Sequence, residues 1–279
     1  MDMKKIVTIQ DVSCYGKCSL TVALPIISAM GVECSIIPTA VLSTHTGGFS
    51  GFTFADLTDE IPKIDAHWKK EGLAFDGIYT GYLGSERQLG MVSDFIDDFR
   101  HEGSIVFIDP VMADNGVLYK GFSEEFAKKM AGLCAKADII VPNLTEATIM
   151  LGEEYVAGGY DEEYIHGLLK RLCAMGAKCA IVTGVKYDDK TQGAVAYNSA
   201  TGEYFEYYRE NIPISYHGTG DVFSSALMGA LTLGYPMEKA LKIAVDYTVD
   251  CIKETVGDDE HWYSVKFEKC IPSLIESLK

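Results

Sequence analysis

The sequence predicts a three-layer α/β/α sandwich: a mostly parallel central sheet, helices on both faces, and an antiparallel hairpin at one edge. Three observations predict it. Short β-branched apolar runs alternate with helix-spaced runs along most of the chain. Two alternating runs near residues 192–209 stand back to back, joined by Ser199-Ala200-Thr201-Gly202, as a hairpin requires. No Pro-rich, Ser-rich or low-complexity linker interrupts the pattern, so residues 1–279 are expected to form one domain.

Taken in order, Lys5–Ile9 is a short apolar strand. Cys18–Met30 has helical spacing and ends at Gly31, a residue suited to the left-handed backbone of a helix end. Cys34–Leu42 is β-branched and apolar, and Phe75–Tyr82 is a further strand. A helix over Glu86–Glu102 leads to a buried strand at Ser104–Val111, then a helix at Phe122–Ala135. Asp138–Val141 is a strand, Asn143–Leu151 a helix, Asp161–Met175 a helix ending at Gly176, and Lys178–Val185 a strand. The hairpin runs are Gln192–Asn198 and Glu203–Arg209, and Gly220–Lys279 reads as almost all helix.

Composition narrows the partners. Of 279 residues 48% are apolar, which excludes a disordered chain. The net charge is −16, from 24 basic and 40 acidic residues with no Lys/Arg cluster. Nucleic acid and anionic membranes are therefore not expected partners. No apolar run reaches the roughly 18 residues of a membrane span, and Met1–Gln10 does not have the pattern of a signal peptide. The eight cysteines include no C-x-x-C pair, so free buried thiols in a reducing cytoplasm are expected rather than zinc or disulfides.

In a sheet of this kind ligands gather where strands end and helices begin. The familiar nucleotide loops are absent: Gly16-Lys17-Cys18 is no Walker A motif, and Gly218-Thr219-Gly220 has Phe223 where a third glycine would sit. The turn His217-Gly218-Thr219-Gly220-Asp221 opens a helix of small apolar residues. Its glycines let backbone N–H groups converge at the positive end of that helix, a good place for a phosphoryl group in transfer. Asp221 then stands where a carboxylate receives the proton of an attacking alcohol. An ordinary helix start, with Thr219 or Asp221 as the cap, explains the string equally well.

Three further turns favour chemistry. Asp109-Pro110-Val111-Met112-Ala113-Asp114 follows a buried strand, with two carboxylates that could hold Mg²⁺ on a triphosphate. Asn143-Leu144-Thr145-Glu146 follows another, although a plain capping box is the stronger account of it taken alone. Thr183-Gly184 ends a third and offers a hydroxyl to a phosphate oxygen.

With these residues in place, the chain resembles the ribokinase-like superfamily, and within it the pyridoxal kinases, over roughly Lys4–Thr255. Gly218-Thr219-Gly220-Asp221 is similar to that family's anion hole and catalytic aspartate. Asn143-x-x-Glu146 is similar to its N-x-x-E motif, and Asp109-Pro110-Val111 through Asp114 and Tyr119 to the segment lining the ATP phosphates. Ser43-Thr44-His45-Thr46-Gly47 and Thr80-Gly81-Tyr82 resemble the segments that touch the pyridine ring. The resemblance implies ATP-dependent phosphorylation of the 5′-hydroxymethyl group of a vitamin B6 vitamer. It implies Asp221 as base, Gly218, Thr219 and Gly220 as anion hole, and phosphate contacts from Asp109, Asp114, Tyr119, Asn143, Glu146 and Thr183. It places Mg²⁺ at Asp114 and Glu146, with a monovalent cation as a further candidate, and implies a homodimer. Substrate contacts are expected from Asp11, Ser13, His45, Thr46 and Tyr82. Asp11 departs from the pattern, because it stands where the family's substrate-binding Ser is expected.

Two sister activities and one non-enzymatic role compete. Hydroxymethylpyrimidine kinases typically carry Cys at the position of Asp221. Sugar kinases usually have Ala in the turn and a β lid, for which residues 10–60 give little hairpin signal. A regulatory binding protein could keep the fold without the catalytic acids, but Asp221, Asn143 and Glu146 are all present.

Overall fold

The apolar runs pair side by side in one nine-stranded sheet, described for residues 2–279 by a computed structural model. The strands are β1 (Lys5–Ser13), β2 (Glu33–Leu42), β3 (Phe54–Asp56), β4 (Gly77–Thr80), β5 (Ile105–Ile108), β6 (Ala113–Asp114), β7 (Val117–Leu118), β8 (Ile139–Ile140), β9 (Cys179–Val185), β10 (Thr191–Asn198) and β11 (Glu203–Glu210). The helices are α1 (Leu20–Ala29), α2 (Ile61–Glu71), α3 (Glu86–Phe99), α4 (Glu124–Cys134), α5 (Leu144–Leu151), α6 (Glu162–Ala174), α7 (Thr219–Thr232), α8 (Met237–Thr255) and α9 (Phe267–Ser277). The sheet order is β11-β10-β9-β8-β5-β4-β1-β2-β3. From β9 to β2 every pairing is parallel, and β10–β11 is the expected antiparallel hairpin, in register from Thr191↔Glu210 to Asn198↔Glu203.

Alternation along each strand divides the core in two, because successive side chains leave opposite faces of a sheet. Val7, Ile9, Ile78, Val106 and Ile108 pack beneath the apolar faces of α3 to α6. Ile6, Tyr79 and Phe107 point the other way, into a core shared with α1, α7, α8 and α9. Parallel strands place all their C-terminal ends on one edge, so the chain turns after β1, β4, β5, β8 and β9 gather there.

Several expectations need correction. The strand expected at Ser104–Val111 is only Ile105–Ile108, because Pro110 has no N–H and the Asp109 N–H is spent on the Thr80 carbonyl. The stretch 112–118 is no plain turn but the two-stranded ribbon β6–β7. Its corner, Asn115-Gly116, takes φ values of 51° and 81°, the mirror-image turn that Asn-Gly favours. Helix α2 was not anticipated, although Ile61, Ile64 and Trp68 carry its apolar spacing. Residues 10–60 do contain a short flap: β3 pairs antiparallel with β2 from Ala40↔Asp56 to Leu42↔Phe54. Among the cysteines, which are free, Cys14 is exposed rather than buried.

Candidate functional site

The edge where the strands end carries the acids that the sequence singled out. Asp221 lies in the first turn of α7, directly after Gly218, whose φ of 79° turns the chain into the helix. Only glycine fits there. A side chain would need the left-handed region, and its Cβ would stand 2.6 Å from the Lys17 carbonyl oxygen. The unpaired N–H groups of that helix end face the same edge as the carboxylate. Asp221 Oδ2 accepts a 2.9 Å bond from the Ser19 N–H. Burial, opposed by this bond and assisted by the negative charge of Asp11, pushes its carboxyl up to about 7.

Asp109, at the end of β5, is buried and accepts a 2.8 Å bond from the hydroxyl of Ser224, one turn into α7. Its carboxyl is also pushed up to about 7, by burial first and by Asp221 as well. The Tyr119 hydroxyl is pushed up by burial and then by Glu146, Asp114, Asp109 and Asp221 in that order. These four carboxylates, drawn from α5, β6, the end of β5 and α7, all lie near enough to Tyr119 for their charges to act on it.

Asn143 and Glu146 form the capping box of α5. Asn143 Oδ1 accepts from the Glu146 N–H at 2.9 Å, and Glu146 Oε2 accepts from the Asn143 N–H at 2.9 Å. The box extends sideways. Glu146 Oε1 also accepts from Met112 N–H at 2.9 Å and Ala113 N–H at 3.4 Å, and Asn143 Nδ2 donates to the Ala113 carbonyl. Both Glu146 oxygens are thus engaged by backbone donors. Asp114 is exposed and turned onto its neighbour Asn115. No group of three or more His, Cys, Asp or Glu ligands that could hold a metal occurs among the described residues, so Asp114 and Glu146 are neighbours of one site but not a ready-made cage. The donor set fits a hard cation that brings its own oxygens on a triphosphate. Thr183, near the end of β9, bridges to Asn143 and completes this side.

On the opposite side, Asp11 is buried near the end of β1 and accepts a 2.9 Å bond from Ser13. Burial raises its carboxyl, with Ser19 and Ser13 opposing. Tyr82 lies close enough to Asp11 for that charge to add to burial in raising its hydroxyl, and its ring sits 5.6 Å from Phe122. His45 is buried and held at both nitrogens: Nδ1 accepts from Gly47 N–H at 3.0 Å, so Nε2 carries the proton donated to the Tyr263 carbonyl at 2.9 Å. Burial keeps this ring neutral by lowering its pKa. Thr46 is exposed beside it.

Three residues were missed: Ser19, Ser224 and Ser264. Ser224 had a signal, since it stands one helical turn from Asp221. Ser19 acts through its backbone and Ser264 across 247 residues, so neither leaves a local pattern.

Known proteins similar to this chain fall in one family of small-molecule kinases. The profile of the phosphomethylpyrimidine kinase family matches residues 9–265. A pyridoxine/pyridoxal/pyridoxamine kinase of Bordetella avium is 27% identical over 259 residues, 88% of this chain and 84% of its own. A hydroxymethylpyrimidine/phosphomethylpyrimidine kinase of Haemophilus influenzae is also 27% identical, over 94% of this chain and 97% of its own. A solved Bacteroides thetaiotaomicron protein, provisionally assigned as a phosphomethylpyrimidine kinase and crystallised with pyridoxal, is 42% identical with a TM-score of 0.93, covering 98% of this chain and 96% of its own.

Proposed function

The chain belongs to the phosphomethylpyrimidine kinase family, and on that premise we propose that it transfers the terminal phosphoryl group of ATP to the 5′-hydroxymethyl group of a vitamin B6 vitamer. Membership makes it an ATP-dependent phosphotransferase of the pyridoxal and hydroxymethylpyrimidine kinase group. The observation that carries the choice of acceptor is Asp221, an aspartate at the N-terminus of α7 where the pyrimidine kinases typically have cysteine. The pyridoxal bound to the 42% identical Bacteroides protein supports it.

In this proposal the acceptor hydroxyl gives its proton to Asp221. A carboxylate with a pKa near 7 is a much better proton acceptor than an ordinary one, yet about half of it is still ionised at neutral pH. The Ser19 N–H holds the carboxylate in place. The α7 N–H groups after Gly218, with Thr219 and Gly220, stabilise negative charge on the phosphoryl oxygens. Asp109, Asp114, Tyr119, Asn143, Glu146 and Thr183 form the ATP side. Asp114 and Glu146 would face Mg²⁺ brought in on the triphosphate, and such a cation would supply positive charge to offset the carboxylates whose charges reach Tyr119. Asp11, Ser13, His45, Thr46 and Tyr82 form the acceptor side. A single domain, a homodimer and a cytoplasmic location complete the proposal.

The deciding measurement is ADP release with pyridoxal, pyridoxine, hydroxymethylpyrimidine and ribose offered separately. Turnover is expected with the B6 vitamers and should fall by ~10²–10⁴ in Asp221→Asn, the range attributed to a general base. ADP release with hydroxymethylpyrimidine alone would reassign the acceptor, and near-normal turnover in Asp221→Asn would remove Asp221 from the chemistry.

A further inference from the structure

The chain between α8 and α9 touches three loops of the site: the one carrying His45 and Phe49, the loop 14–19, and the turn at His217. Trp262 packs 4.7 Å from Phe49, and the Tyr263 carbonyl accepts from His45 Nε2. Ser264 is buried, and its hydroxyl lies 3.0 Å from the Lys17 carbonyl and 3.2 Å from the His217 carbonyl. One proton is shared between two acceptors. Those carbonyls belong to the two backbone segments that meet at Asp221: the loop 14–19, which supplies the Ser19 N–H, and the turn 217–220 that opens α7.

The loop 14–19 would not hold this shape unaided. Gly16, Lys17 and Ser19 have φ values of 107°, 56° and 54°, and the last two carry side chains that disfavour the left-handed region. Strain of this kind persists only when surrounding contacts over-determine it. Some of the contacts are local, such as the Thr21 hydroxyl on the Cys18 carbonyl and the His45 N–H on the Tyr15 carbonyl, and those at Lys17 come from 264–268. Ser264 holds the Lys17 carbonyl, and Glu268 takes the Lys17 ammonium at 2.8 Å. This brace is itself anchored on α8. The Lys266 N–H donates to Thr255 Oγ1 at 2.9 Å, and the Tyr247 hydroxyl donates to the Phe267 carbonyl at 2.9 Å.

We propose that Ser264 is a positioning residue for phosphoryl transfer: its hydroxyl locks the strained loop 14–19 onto the turn 217–218 and so keeps the Ser19 N–H on the Asp221 carboxylate. It acts without touching substrate, and its catalytic consequence rests on Asp221 being the base, as proposed above. Asp221 is otherwise faced by Asp11 of β1, Cys18 of the loop, Asp109 after β5, Tyr79 of β4 and Tyr119 after β7, none of them a cation. The Ser19 N–H is therefore the group that opposes burial and like charge at this carboxylate.

The test needs no substrate for its first half. In Ser264→Ala, exchange of the Ser19 amide hydrogen, followed by NMR, is expected to accelerate about two- to tenfold, the worth of one net hydrogen bond. Amides within α8 should keep their protection. In the same variant kcat should fall by a similar factor while the KM for ATP stays unchanged, and Ser264→Cys, close in volume with a weak donor, should lie between. Unchanged exchange at Ser19, or faster exchange with no loss of kcat, overturns the proposal. So does protection lost uniformly across α8, which is what a merely structural role would produce. Should Ser264→Ala not fold, the same criteria apply to Ser264→Cys. An active Asp221→Asn enzyme would instead defeat the choice of base, and the exchange result would still stand by itself.

Discussion

Replacing Asp221 with Asn should make the protein more stable at alkaline pH while lowering its turnover by the ~10²–10⁴ of a lost general base. The carboxyl titrates near 7 in the folded chain against an ordinary 3.8. Folding therefore favours the protonated form. The stability associated with that form is fully present below pH 3.8 and is lost as pH rises through 7. At 1.36 kcal/mol per pH unit, the rise from 3.8 to about 7 amounts to about 4 kcal/mol of folding free energy forgone above pH 8. Asn cannot ionise and recovers it. The Ser19 N–H can still donate to the amide oxygen, although losing a charged acceptor costs about 1 kcal/mol. A net gain of about 3 kcal/mol remains, or roughly 5 °C in Tm for a chain of this size. Asp109 reinforces the effect, since Asp221 is one cause of its own raised carboxyl. Urea unfolding of both proteins at pH 8.5 and pH 5 checks this, and the gain should shrink to about 1 kcal/mol or less at pH 5, where the wild-type acid is mostly protonated. An Asn variant no more stable than wild type at pH 8.5 would refute the claim that burial strains this carboxylate.

Two further outcomes follow from the same geometry. The base works ionised, so kcat/KM of the wild type for the acceptor should rise with unit slope below about pH 7 and level off above it, as measured by ADP release from pH 5.5 to 9; a profile flat down to pH 5.5 would contradict it. Gly16→Ala should cost ~2 kcal/mol or more and depress turnover, because a Cβ at φ 107° would overlap the His45 ring and displace the loop that carries Ser19. Urea unfolding combined with the ADP assay would reveal the opposite, a variant as stable and active as wild type.

Much of this was legible in the sequence, for identifiable reasons. The strands β4, β5 and β9 are largely buried on both faces and, with the first half of β1 and the β-branched β2, read as mainly apolar runs, and the glycine-rich entry to α7 marks itself. The capping box at Asn143 and Glu146 formed as the local account required, and the fold turned the same glutamate onto the backbone of 112–113 as well. What escaped was short or non-local. All three residues of β3 are exposed and show no alternation. The Asn115-Gly116 corner carried a turn signal, but its strands are two residues long. His45 is expected on the acceptor side, and what the sequence does not show is that both its nitrogens are engaged by backbone groups, one of them 218 residues away. No pattern in a window of sequence reports a partner at that distance.

The brace from Ser264 to Lys17 also sets an order of events in synthesis. The loop 14–19 leaves the ribosome well before the group that braces it, which follows 247 residues after Lys17. Most of the sheet can pair before then, but the acceptor side of the site stays unlocked until the segment after α8 has emerged. Closing so wide a loop is entropically costly and slow. Activity should therefore be the last property a nascent chain acquires, gained after most of its secondary structure is in place.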